Sequence, residues 1–219
     1  MVTHDVMRVT TSRGLPEKRR AIAQAARTVF GREGFTRASV DAIATEAGVS
    51  KRTIYNHYPD KERLFLSVIL DGSASVADTH MRIAERHLRK ILDLEEDLIA
   101  FGVEWASSPT AFADHFALVR TIQAEASRIP PVVLEAWQNA GPRAFQDELA
   151  RYLRAIAGRG LLTFADADEA ANHFNLLTFM NVVQKSFYGA IPVADAEITE
   201  LVTGGVRAFL RLYRPESAM

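Results

Sequence analysis

Residues 39 to 64 read SVDAIATEAGVSKRTIYNHYPDKERL, and their spacing predicts two short crossed helices followed by the start of a third. Val40, Ile43, Ala44 and Ala47 recur at helical intervals behind Ser39, whose hydroxyl can cap the free amides of a helix start. Gly48 can enter the left-handed turn that stops this helix, and Ser50 can cap a second one. Only Gly48 to Ser50 join the pair. So short a link cannot stack two helices end to end, and it fits the crossed arrangement of a helix-turn-helix.

The second helix, 51 to 58, offers Lys51, Arg52, Thr53, Tyr55, Asn56 and His57, with Ile54 and Tyr58 four apart as inward anchors. Lys and Arg reach guanine edges or phosphates, Asn can pair with adenine, and Thr, Tyr and His can donate to phosphate oxygens. Tyr55 could equally join Tyr58 in the core. Pro59 breaks the helix, and Lys61 stands near the start of the next, where helix amides and its ammonium could together hold a phosphate.

The stretch resembles the DNA-binding domain of the TetR/AcrR family of bacterial repressors. The agreement lies in Val40, Ile43 and Ala44; Ala47 to Ser50; Thr53, Ile54 and Tyr55; His57 and Tyr58; and Lys61, Glu62 and Leu64. The resemblance implies that Lys51 and Arg52 face base edges, while Thr53, Tyr55, His57 and Lys61 lie mainly at phosphates. It also implies a phosphate contact for Thr36, for which an ordinary loop hydroxyl is the alternative. The expected DNA-binding set is thus Thr36, Ser39, Lys51, Arg52, Thr53, Tyr55, Asn56, His57 and Lys61. One position departs from the family pattern: Arg52 stands where Gly is frequent, and the added cation could extend base contact or strengthen phosphate binding.

The rest of the chain sets this stretch in context. The 219 residues are 48% hydrophobic, enough for one or two domains with a substantial core. There is no cysteine, which excludes disulfides and thiolate metal sites. No apolar run resembles a signal peptide or a membrane span, so a cytoplasmic protein with no membrane partner is expected. The overall charge of −1 is unevenly spread: residues 1 to 64 carry a net +5, the remainder −6. A basic end on an acidic body suits a DNA-binding head attached to a part that does not touch DNA.

An all-α architecture is expected throughout: a flexible arm over 1–15, including Arg8 and Arg13, a three-helix helix-turn-helix domain over 16–63, and a larger helical effector-binding and dimerisation domain over 64–219. The first helix should begin near Pro16, with Ile22, Ala25, Ala26, Val29 and Phe30 as its core stripe. From Lys61 a connector helix, with a possible bend near Gly72, should run into the body. There, helices are predicted over 76–91, 94–107, 110–127, 131–158 with a break at Gly141-Pro142, 166–189 and 195–213.

The body resembles the regulatory domain of the AefR-like group of the same family in EASRIPPVVLEAW (125–137) and AGPRAFQDELARYLRAIAGRGLL (140–162). That resemblance implies a small-molecule pocket and a homodimer formed through the last two long helices. Trp105, Phe112, Phe116, Trp137 and Phe145, with Arg120 and Gln123, could line a cavity for an apolar or aromatic effector, or could simply be core. His173, Leu177 and Asn181 join them as candidates, from a helix mixing polar and large apolar residues. That helix could face a pocket and a partner, or carry a solvated polar face. The last helix has an apolar stripe of Ile198, Leu201, Val202, Gly205, Phe209 and Leu212.

An enzyme is the competing class. Glu169 and His173, four apart, could share a proton or a metal, but no third ligand is near and a surface ion pair accounts for them. His80 and His87 are expected to be exposed. No nucleophile elbow or phosphate loop is present, so no catalytic residue, metal site or cofactor is expected. The reading is a ligand-responsive repressor released from a palindromic DNA operator; the alternatives are a regulator of the same fold that senses no small molecule, and an all-helical enzyme or carrier.

Overall fold

The Ser39 hydroxyl accepts the Ala42 amide at 3.0 Å, and Gly48 takes φ 63°, so the first helix of the pair is capped and stopped by the residues that its sequence marks. Ser50 does the same for the second by accepting from the Thr53 amide at 3.1 Å. The structure is a computed structural model describing residues 14 to 215, and the expected arm with Arg8 and Arg13 lies outside the described residues except for its last two positions. Every regular element among the described residues is helical.

Helix α1, Gly14–Glu33, begins two residues ahead of Pro16 and buries its Ile22, Ala25, Ala26, Val29 and Phe30 stripe. Helices α2, Val40–Ala47, and α3, Lys51–His57, cross beside it. Asp60 then accepts from the Arg63 amide at 2.6 Å and starts α4, Lys61–Leu88. Helix α4 is uninterrupted, so the helix expected from 76 is its second half and Gly72 does not stop it. A Cβ at Gly72 would lie 2.7 Å from His115 Nδ1; the glycine makes room for an imidazole.

The body follows with α5, Leu94–Ala106, then a four-residue α6, Ser108–Ala111, and α7, Ala113–Glu125, in place of one helix over 110–127. Helices α8, Pro131–Gln138, and α9, Ala144–Ala157, are joined by a π turn over Asn139–Arg143. The expected break at Gly141-Pro142 is therefore a widened turn. Pro142 has no amide to donate, and the extra residue per turn absorbs the missing bond.

The helix expected over 166–189 is two: α10, Ala167–Leu177, and α11, Phe179–Lys185, divided at Thr178 with φ −115° and ψ −83°. The cause is tertiary. Helix α12, Asp195–Tyr213, brings Gly205 against this point so closely that a Cβ there would lie 2.0 Å from the Leu177 carbonyl oxygen.

Two apolar cores result. One gathers α1 to α4 around Phe30, Phe35 and Phe65, with the Phe35 and Phe65 rings 4.7 Å apart, and it takes in Leu118, Ile122, Ile129 and Val133 from α7, α8 and the turn between them. The other packs the far half of α4 with α5, α9, α10 and α12.

Candidate nucleic-acid interface and effector cavity

Ile54 and Tyr58 are buried, which leaves Lys51, Arg52, Tyr55 and Asn56 exposed on the outer side of α3, with Thr53 and His57 partly so. The choice between the two tyrosines is thus decided: Tyr58 belongs to the core, and Tyr55 is 46% exposed. Lys51 is held against Asp41 of α2 at 2.8 Å, a contact that keeps its ammonium charged. Thr53 Oγ1 lies 2.8 Å from Ser50 Oγ.

Lys61 is placed differently from expectation. Its ammonium donates to the carbonyl oxygens of Phe35 at 2.9 Å, Ala38 at 3.2 Å and Thr36 at 3.4 Å, and sits 4.7 Å from the Phe35 ring centre. An ammonium has three donors, and all three are used to pin the α1–α2 connection. These contacts give Lys61 a structural role in the DNA-free protein. Thr36 is also engaged: Glu125 Oε2, at the end of α7, accepts its amide at 2.8 Å and its hydroxyl. Burial pushes the Glu125 carboxyl up, but these bonds and the nearby Arg128 and Arg37 outweigh it and hold it below the usual range.

Between α4, α5, α7, α9 and α11 lies a cavity of about 320 Å³. Five of the ten expected ligand residues line it: Trp105, Phe116, Gln123, Trp137 and Phe145. The other five lie elsewhere. Phe112 borders a separate surface recess, Arg120 donates to the Tyr188 carbonyl at 2.6 Å, and Leu177 packs against the body core. His173 Nδ1 meets the Tyr213 hydroxyl at 2.6 Å, and Asn181 is exposed. The cavity face of this stretch is Asn175, Phe179, Met180 and Val183, a single stripe two residues out of phase with the expected His173, Leu177 and Asn181.

His80, expected at the surface, is 6% exposed and forms part of the cavity wall. Its Nδ1 accepts from the Trp105 indole N–H at 3.2 Å, so Nε2 carries the proton and donates to Ser108 Oγ at 2.8 Å. Burial, and then the neighbouring His115, lower its pKa to about 3. His115, also in the wall, is lowered to about 4 by burial and then by Arg27. His87 is part-buried and lies 2.7 Å from Glu104. The signal for His80 was present in the sequence, since Val76, Ala77, His80, Ile83 and Ala84 follow one helical stripe. Ser73 lies on the same stripe, whereas Gln146 and Tyr188 also line the cavity and carried no such signal.

Residues 22–68 match the family of bacterial regulatory proteins named tetR, and residues 98–215 match the AefR-like transcriptional repressor C-terminal domain. The chain belongs to the TetR family. Among curated TetR relatives, the HTH-type transcriptional repressor AcnR of Corynebacterium diphtheriae is 30% identical over 86 residues, covering 39% of this chain and 44% of that protein. The chain spans about half the length of the curated relatives it matches. Among solved structures, a TetR-family regulator from Mesorhizobium loti superposes with a TM-score of 0.81 at 29% identity, covering 94% of this chain and all of that one. The flavonoid-responsive regulator FrrA does so with a TM-score of 0.70 at 30% identity, covering 92% and 100%.

In this TetR-family chain α4 and α7 each belong to both halves. Leu64, Phe65, Val68 and Ile69 of α4 enter the head core, while Ser73, Val76, Ala77 and His80 line the cavity. Helix α7 sends Leu118 and Ile122 into the head core and turns Phe116, Val119 and Gln123 to the cavity. A ligand that displaced α4 or α7 would therefore move a helix that also builds the head. Among the described residues, no helix is long and apolar enough to cross a membrane.

Proposed function

We propose that the chain is a homodimeric repressor that reads a palindromic DNA operator and is released from it by a small molecule bound in the cavity. The observation carrying the DNA-binding part is the outer face of α3, where Lys51, Arg52, Tyr55 and Asn56 are exposed on a helix anchored by Ile54. Lys51, Arg52 and Asn56 are the side-chain types that read base edges in the major groove, while Thr53, Tyr55 and His57 reach phosphates. Ser39 lies at the rim of the same surface.

Dimerisation through the α10–α12 side is supported by Leu176, Phe187, Ile191 and Leu212, which stay more than half exposed on or beside those helices. A two-fold dimer would set its recognition helices at half-sites ~34–36 Å apart, or further. The flavonoid response of FrrA, at 30% identity, supports an effector site in the cavity. An effector that fits only one cavity shape would favour one spacing of the heads and lower operator affinity by that difference.

The test is titration of the protein against DNA from immediately upstream of its own coding region, at two salt concentrations, with excess nonspecific competitor. Tight, salt-sensitive and sequence-selective binding is expected; equal affinity for operator and competitor DNA at both salts would refute the reading.

A further inference from the structure

Five buried polar side-chain atoms have no hydrogen-bonding partner in the protein among the described residues, and four of them belong to residues lining this cavity: Ser73 Oγ, His115 Nδ1, Trp137 Nε1 and Gln146 Nε2. A buried donor or acceptor left without a partner is costly, so such atoms are rare and do not cluster by chance. Ser73 is 1% exposed and His115 is 9% exposed. They stand on α4 and α7, whereas the indole and the amide come from α8 and α9. The residues that carry the unmet groups therefore stand around the cavity on four different helices, although His115 Nδ1 itself faces Gly72 of α4.

The charge of the wall is as informative. No Asp, Glu, Lys or Arg lines the cavity. Its two imidazoles are neutral at pH 7, since burial lowers His80 to about 3 and His115 to about 4. An ionic ligand would be stripped of water and given no counter-charge, which disfavours carboxylates, phosphates and ammonium compounds alike. Part of the apolar wall is aromatic, beside aliphatic Val76, Val119, Met180 and Val183: the Trp105 and Phe179 rings stack 4.6 Å apart, with Phe145 4.9 Å from Trp105. Such surfaces suit a flat ring system.

We infer that the effector is an uncharged aromatic molecule bearing oxygen functions at separated positions, an acceptor such as a ketone for the Trp137 and Gln146 N–H groups and a hydroxyl or second acceptor for Ser73. The inference rests on the reading of the cavity as an effector site and names its chemistry. At about 320 Å³ the cavity is near the lower end of the roughly 300–1,000 Å³ range for small-molecule sites, so the ligand is of modest size.

The experiment uses three naphthalenes of one shape against the full chain: 6-hydroxy-2-acetylnaphthalene, the anion 6-hydroxy-2-naphthoate, and the apolar 2-ethylnaphthalene. Affinities are read by calorimetry. The only two tryptophans of the chain, Trp105 and Trp137, both line the cavity, so their fluorescence locates the binding. The hydroxyketone should bind at least about tenfold more tightly than either analogue, the scale of one or two satisfied hydrogen bonds. Trp137→Phe and Gln146→Leu should each remove much of that preference while leaving 2-ethylnaphthalene unaffected.

Equal or tighter binding of the naphthoate or of the ethyl compound, no binding of any of the three, or full selectivity in both variants would overturn the inference. Operator release, measured on the same samples, separates this from the regulator reading. Release by the naphthoate would keep the regulator and discard the neutral ligand; selective hydroxyketone binding without release would keep the ligand chemistry and discard the coupling.

Discussion

Glu125, the last residue of α7, accepts the Thr36 amide at 2.8 Å and the Thr36 hydroxyl, so a carboxylate from the body occupies both donors of a residue just ahead of α2. The family resemblance implies a DNA phosphate contact for Thr36, with an ordinary loop hydroxyl as the alternative, and such a contact would need the same donors. A carboxylate and a phosphate cannot both hold them. Glu125→Ala is therefore expected to raise operator affinity by about twofold to tenfold, while costing about 1 kcal/mol of stability for the lost bonds. Fluorescence anisotropy on operator DNA measures the first, and unchanged affinity would show that the contact does not compete with DNA.

Lys61 and Lys51 should separate stability from recognition. Lys61→Met removes three carbonyl contacts and the cation over Phe35, so its melting temperature should fall by several degrees, about 1–3 kcal/mol. Its salt slope should stay as in the parent. Lys51→Ala loses only an exposed pair with Asp41, so it should melt normally but bind DNA with an altered base preference. A reduced salt slope in Lys61→Met with normal melting would return that residue to the phosphate.

Gly205→Ala tests the α10–α12 crossing. Its methyl would meet the Leu177 carbonyl oxygen at 2.0 Å, and backbone cannot rotate away as a side chain can. Destabilisation of about 1–3 kcal/mol is expected from overpacking, read as a shift of the urea midpoint. Gly204 is the control, because a Cβ there meets nothing within 4 Å and Gly204→Ala should be neutral or slightly stabilising.

Stability should also fall on mild acidification. His80 and His115 have folded pKa values lowered to about 3 and about 4, below the unfolded value of 6.5, so the unfolded chain binds more protons throughout that interval. Their contribution is complete above pH 6.5 and is lost as the pH falls from there toward 4, at about 1.4 kcal/mol per unit for each histidine. Between pH 6.5 and 5 the carboxylates add little. His115→Asn should roughly halve the slope in that window, and an unaltered slope would mean that His115 is not held neutral.

The helix-turn-helix was legible because each signal that defines it acts within one turn of its own position. Ser39, Gly48 and Ser50 cap and stop their helices in the structure, and the Ile22 to Phe30 stripe is buried throughout. Helix α12 was bounded correctly at both ends for the same reason. The cavity was half legible: a clustering of aromatics in sequence pointed to Trp105, Phe116, Trp137 and Phe145, with Gln123 among them, but not to His80 or His115.

The sequence by itself determined the helices, the crossed pair and the face that α3 presents, since periodicity and capping need only neighbours along the chain. Tertiary structure alone decided where α10 ends, which carbonyls Lys61 meets, and which side chains share a cavity. The break at Thr178 depends on Gly205, and Lys61 is occupied by Phe35, Thr36 and Ala38. The cavity joins Ser73 to Tyr188 across helices far apart in sequence. These are properties of packing between elements, and packing depends on distances that no local pattern carries.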